Sequence, residues 1–87
     1  MRYEFDPAKN AANLVKHGLA LADFAGWDGE PFVAVDGRYA YGETRYRAFG
    51  RIGGLGHCLA LTMRGDAMRL ISLRRAHEPE MRRYEQA

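Results

Sequence analysis

Two short glycine-bearing turns divide the stretch from Arg45 to Arg74 into three alternating segments, which constrains this chain more than any other feature. The first segment is Arg45-Tyr46-Arg47-Ala48-Phe49-Gly50-Arg51-Ile52 and the second His57-Cys58-Leu59-Ala60-Leu61-Thr62-Met63-Arg64, with Gly53-Gly54-Leu55-Gly56 between them. Read as a four-residue loop, that connection pairs Ile52 with His57, Gly50 with Leu59, Ala48 with Leu61 and Tyr46 with Met63 on an apolar face. The opposite face then pairs Arg51 with Cys58, Phe49 with Ala60, Arg47 with Thr62 and Arg45 with Arg64. A two-residue turn at Gly65-Asp66 returns the chain into Met68-Arg69-Leu70-Ile71-Ser72-Leu73-Arg74 and sets Arg69 opposite Thr62. Arg69 therefore joins Arg45, Arg47 and Arg64. Like charges facing each other across a ladder destabilise it, so such a surface calls for an anion or for a mobile, solvated face.

The 87 residues suffice for one small domain, 1–87, and not for two cores. No apolar run approaches the length of a membrane span, the N-terminal residues do not read as a signal peptide, and a single cysteine excludes an internal disulfide. Cytoplasm is the expected location. The net charge of +2 conceals a polarity: residues 1–36 carry −3, residues 37–75 carry +6 and residues 76–87 carry −1. Arginine outnumbers lysine eleven to two. That balance suits planar, bidentate recognition of phosphate, although GC-rich coding produces the same bias.

Taken in order, Tyr3-Glu4-Phe5 is expected as a short strand. Asp6-Pro7 gives the capping residue and first position of a helix running to about His17, ended by Gly18. Periodicity assigns Ala8, Ala11, Ala12, Leu14 and Val15 to its buried side, leaving Lys9, Asn13, Lys16 and His17 on another stripe. Leu19 to about Ala25 is expected as a second helix, anchored by Leu21, Phe24 and Trp27. Phe32 to Asp36 follows as a strand, and Tyr39-Ala40-Tyr41-Gly42-Glu43-Thr44 leads into the arginine strand. His77 to Glu85 reads as a closing helix with Pro79 in its first turn and with Met81 and Tyr84 docking on the sheet. The expected fold class is α+β: a small antiparallel sheet with two N-terminal helices and one C-terminal helix, in the order βααββββα.

Asp6-Pro7-Ala8-Lys9 with Asn13, Lys16-His17-Gly18, Tyr41-Gly42-Glu43 with Arg45, Thr62 and Arg64, Arg69-Leu70-Ile71-Ser72 with Arg74 and Ala76, and Glu80 with Tyr84 resemble, in order and spacing, the BrnT toxins of type II toxin-antitoxin pairs. Phe5, where many relatives carry Trp, Trp27, where Phe is common, and Pro79 depart from that pattern. The resemblance implies a RelE-like domain and an endoribonuclease that arrests translation. It also implies a cognate antitoxin protein as partner, contact with operator DNA only through the antitoxin complex, and RNA as substrate, with ribosome-associated mRNA as one form of it.

Metal-independent RNA cleavage uses the 2′-OH as nucleophile and needs one proton removed, one supplied and a phosphorane stabilised. Arg64 and Arg69 are the first candidates for the phosphate clamp, and Glu43 and His17 for proton transfer. Lys9, Lys16, Arg45, Arg47, Arg74 and Tyr84 are candidate RNA contacts. No metal site and no cofactor is expected. A non-catalytic nucleic-acid-binding domain, or a protein-interaction module using the same arginine face, are the alternatives.

Overall fold

A computed structural model describes residues 2–37 and 42–86. Arg38 and the expected lead-in residues Tyr39, Ala40 and Tyr41 lie outside the described residues, as do Met1 and Ala87. The elements are β1 (Arg2–Phe5), α1 (Pro7–His17), a 3-10 turn (Leu21–Asp23), β2 (Phe32–Val35), β3 (Arg45–Ile52), β4 (Leu55–Arg64), β5 (Ala67–Arg75) and α2 (Glu78–Glu85). The sheet order is β1-β5-β4-β3-β2.

This corrects the expected fold in two respects. The segment after Gly18 is one 3-10 turn instead of a second helix. It lacks a side-chain cap, and Phe24 has already returned to extended backbone. Leu21 and Phe24, three residues apart, both reach the core, which the three-residue period of a 3-10 turn permits. The sheet is also mixed. β1 runs parallel to β5, with Glu4 beside Arg69 and Phe5 beside Leu70, while the remaining pairs are antiparallel. Opposite charges at Glu4 and Arg69 and apolar contact at Phe5 and Leu70 suit that pairing.

The β3-β4 connection is the two-residue turn Gly53-Gly54, with φ of 60° and 78°. Two consecutive positive φ values match the strand twist and strongly favour glycine. The tighter turn pairs Ile52 with Leu55, Arg47 with Ala60 and Arg45 with Thr62, a two-residue shift from the expected register. An even shift leaves each side chain on its expected face. It also relieves the expected conflict, since Arg45, Arg47, Arg69 and Arg74 now stand opposite Thr62, Ala60, Thr62 and Cys58 on β4.

The Gly65-Asp66 turn places Arg69 opposite Thr62, as expected. Further along, the pairing passes from Leu61 with Leu70 to Ala60 with Ser72, so Ile71 is a bulge. The extra residue inverts the alternation. Leu70 and Leu73, three apart, both enter the core, and Arg69 and Arg74, five apart, share the opposite face.

Leu21, Phe24, Ala48, Leu59, Leu61, Leu70 and Leu73 form the main core under the 3-10 turn. On the other face α2 seals a smaller core of Phe49, Cys58, Ala76 and Met81. Gly56 permits that closure, because a Cβ there would meet the Met81 side chain and the Ala76 carbonyl. Arg51 pins α2 from outside through Glu78 at 2.9 Å and Glu85 at 2.8 Å.

The expected buried stripe of α1 is also corrected. Leu14 is 51% and Val15 89% exposed, and Asn13 is the residue that α1 buries. The helix packs beside β5 beyond the end of β1, at an edge whose backbone groups require partners. Asn13 supplies them. Its Nδ2 donates to the carbonyls of Leu73 at 2.9 Å and Leu19 at 2.7 Å, and its Oδ1 accepts from the Leu73 N–H at 3.0 Å. One carboxamide thus does the work of a neighbouring strand.

Candidate nucleic-acid interface and cleavage groove

The sheet face opposite the main core carries Arg45 and Arg47 from β3, Thr62 and Arg64 from β4, and Arg69 and Arg74 from β5. Ala60 and Thr62 form its low middle, with arginines on the strands to either side. The Thr62 hydroxyl donates to the Thr44 carbonyl at 2.6 Å, tying down the chain that enters β3.

Most of these cations have carboxylate neighbours. Glu43 lies 3.8 Å from Arg45 and 3.9 Å from Arg64, and Glu4 lies 3.4 Å from Arg69. Glu80 grips Arg74 with two parallel hydrogen bonds of 3.0 Å, and this engagement holds the Glu80 carboxyl below its ordinary pKa. Arg47 differs. Among the described residues no carboxylate pairs with it, its Nε is buried without a hydrogen-bond partner, and its guanidinium lies 5.8 Å from the Phe49 ring centre. The Nε of Arg45, also buried, faces the Glu43 carboxylate at 3.8 Å. A buried donor such as the Arg47 Nε carries a desolvation cost that an anionic ligand offsets.

At the β5 edge, Lys9, Lys16 and His17 of α1 meet Ser72 and Arg74 around a groove of about 420 Å³. Asn13 lines the same groove, so the side chain that fixes α1 against β5 also sets the spacing of these groups. Partial burial, and then the charges of Lys16 and Arg74, push the His17 pKa below its ordinary value. The imidazole is therefore neutral at pH 7, with a ring nitrogen available to accept a proton.

The structure brings Lys9, Lys16, His17 and Arg74 together and leaves Glu43 and Arg64 at the far end of the face. Arg64 stands opposite Ala67, and from Ala67 to Arg74 the strand covers roughly 20 Å at about 3.3 Å per residue. Arg69 lies between, in one row with Thr62 and Arg45. Tyr84 stacks on Phe49 at 3.9 Å between ring centres and packs on the sheet. His57 is buried with Nδ1 2.8 Å from the Leu55 carbonyl and stands apart from the groove.

Phe32, expected only as the start of a strand, and Asn13, expected only on the polar stripe of α1 and in the family motif, take on positions here that the sequence alone does not assign. Phe32 is 39% exposed and tilted against Tyr84 at 5.2 Å, extending the aromatic stack to the surface. Its partner Phe49 already lay on the arginine face in the alternation of β3, which was the available signal. The burial of Asn13 leaves no mark on the stripe it shares with Lys9, Lys16 and His17, because its partner lies 60 positions away. Among the described residues no three His, Cys, Asp or Glu side chains are grouped to hold a metal ion, and no helix is long and apolar enough to cross a membrane.

No individual curated protein matches the chain. The family model described as the ribonuclease toxin, BrnT, of type II toxin-antitoxin systems matches residues 5–80. With most of the sequence inside that match, the chain belongs to the BrnT family of ribonuclease toxins.

Proposed function

We propose that this protein is a metal-independent endoribonuclease whose reaction centre is the groove between α1 and β5, with the arginine face as the track for the RNA backbone. The observation that carries this reading is the meeting of His17, Lys9, Lys16 and Arg74 in one groove that opens at the edge of a basic sheet. Neutral His17 accepts the proton of a 2′-OH as that oxygen attacks the adjacent phosphorus. Arg74, oriented by Glu80, and Lys16 stabilise the non-bridging oxygens of the phosphorane. Lys9 gives a proton to the departing 5′-oxygen, leaving a 2′,3′-cyclic phosphate and a 5′-hydroxyl. Arg45, Arg47, Arg64 and Arg69 hold neighbouring phosphates, and Glu43 sets the positions of Arg45 and Arg64.

Cleavage of cellular RNA in the cytoplasm then arrests translation, and a cognate antitoxin neutralises the enzyme. A protein partner also has surface to cover. β2 is an edge strand with Val33 and Val35 exposed, beside an apolar cleft lined by Trp27, Pro31, Val33, Tyr46, Met63 and Met68.

The test is cleavage of purified RNA in EDTA by the wild type and by His17→Ala, Arg74→Ala and Glu43→Ala variants of matched stability. Losses of about 100-fold or more are expected for the first two, with cyclic-phosphate termini among wild-type products and a smaller effect at Glu43. Full activity in His17→Ala and Arg74→Ala, with loss in Glu43→Ala, would move the reaction centre to the other end of the face.

A further inference from the structure

We propose that Phe32 and Arg47 together form a subsite for one nucleotide of the bound RNA, Arg47 taking its phosphate and the open ring face of Phe32 stacking on its base. The inference rests on RNA being the ligand of the arginine face and adds a base-binding position to it. Arg47 has an unmet donor. Its Nε is buried without a hydrogen bond, and no carboxylate among the described residues neutralises it, whereas Arg69, Arg64 and Arg74 each have one.

The neighbouring strand supplies the platform. Phe32 stands directly across from Phe49, and Ala34 directly across from Arg47. Arg47 and Phe32 are therefore diagonal neighbours, roughly 7 to 8 Å apart at their backbones, comparable to the span from phosphate to base within one nucleotide. The small side chain of Ala34 leaves room between them. Beneath Phe32 the stack is rigid: Tyr84 lies 3.9 Å from Phe49 at 15°, and α2 is locked over it by Arg51. Phe32 borders an open cleft of about 550 Å³ with Tyr84 and Pro31. Of the cleft's three carboxylates, Asp28 and Glu85 are engaged by the Gly54 N–H and by Arg51, which limits their repulsion of a phosphate at Arg47, and Glu30 lies on the Pro31 side of Phe32. An exposed aromatic ring supported by two others, next to a cation in need of an anion, is the chemistry of a single-stranded nucleic-acid contact.

The test uses 2′-O-methyl RNA oligonucleotides, which lack the attacking hydroxyl, carrying 2-aminopurine at successive positions. The wild type is expected to bind and to quench fluorescence strongly at one position. Phe32→Leu, which keeps apolar bulk but no ring, is expected to lose the quenching and to weaken binding by about 5- to 150-fold at an unchanged melting temperature. Phe32→Trp is expected to retain both, and Arg47→Ala to reduce the salt dependence by about one phosphate contact. Wild-type binding and quenching in folded Phe32→Leu, or failure of the wild type to bind, would overturn the subsite. Cleavage of unmodified RNA is followed in parallel. Quenching without cleavage leaves the subsite standing and refutes the nuclease reading; cleavage with no response at Phe32 does the reverse.

Discussion

Replacing Asn13 by Ala removes the carboxamide that completes the edge of β5. Three hydrogen bonds of 2.7 to 3.0 Å disappear, two of them to buried backbone groups of Leu73. An orphaned buried donor or acceptor costs about 1 to 3 kcal/mol, so the two Leu73 groups together cost about 2 to 6 kcal/mol. Alanine recovers about 0.7 kcal/mol at most in helix propensity, leaving a net loss of roughly 1 to 5 kcal/mol. Domains of this size are stable by only about 4 to 13 kcal/mol, and each kcal/mol lowers the melting temperature by about 4 to 8 °C. Urea unfolding followed by circular dichroism should therefore show a much lower midpoint at similar slope. Val15→Ser, on the side of α1 that periodicity alone would bury, should change stability by no more than about 0.5 kcal/mol, because Val15 is 89% exposed. Asn13→Asp adds a sharper sign. Its second oxygen would face the Leu19 and Leu73 carbonyls, raising the native pKa of the new carboxyl above its unfolded value near 4. The native state then binds the extra proton, and stability of this variant falls as pH rises from about 4 towards neutrality. A loss below about 1 kcal/mol in Asn13→Ala, or a larger effect at Val15, would refute the edge-completion argument.

The acid limb of RNA cleavage should lie below pH 6.5, since His17 titrates low, and Arg74→Ala should move it upward by removing one of the charges that lowers it. The same low native pKa means that the unfolded chain binds more protons as pH falls through about 6.5. His17 therefore subtracts stability in that window, an effect that His17→Gln should abolish in pH-dependent urea melts. Arg51 holds the pKa values of Glu78 and Glu85 down, so their contribution to anchoring α2 is present above about pH 4.5 and lost as pH drops through the lowered native values. Arg51→Ala should erase that dependence and speed amide exchange in α2; unchanged exchange would show that Met81 and Tyr84 suffice. Gly50→Ala should destabilise by about 1 to 3 kcal/mol or more in thermal melts, because its Cβ would lie 2.5 Å from the Trp27 ring.

Local chemistry set much of this protein from sequence alone. Asp6, Pro7 and Gly18 delimit α1 because capping and left-handed termination act over a few bonds. The alternation of β3 and β4 separates an apolar from a cationic face whatever the exact register, since a two-residue slip preserves parity. The resemblance carried by the ordered motifs also named the family that the match over residues 5–80 supports. Tertiary structure decided the rest. Which stripe of α1 is buried depended on its position at a strand edge, where hydrogen-bond partners matter more than apolar area, so Asn13 is buried and Val15 is not. The parallel pairing of β1 with β5 joins segments more than sixty residues apart and leaves no periodic trace. Above all, the bulge at Ile71 turned Arg74 onto the cationic face and into the groove with His17, because one unpaired residue inverts every side chain beyond it.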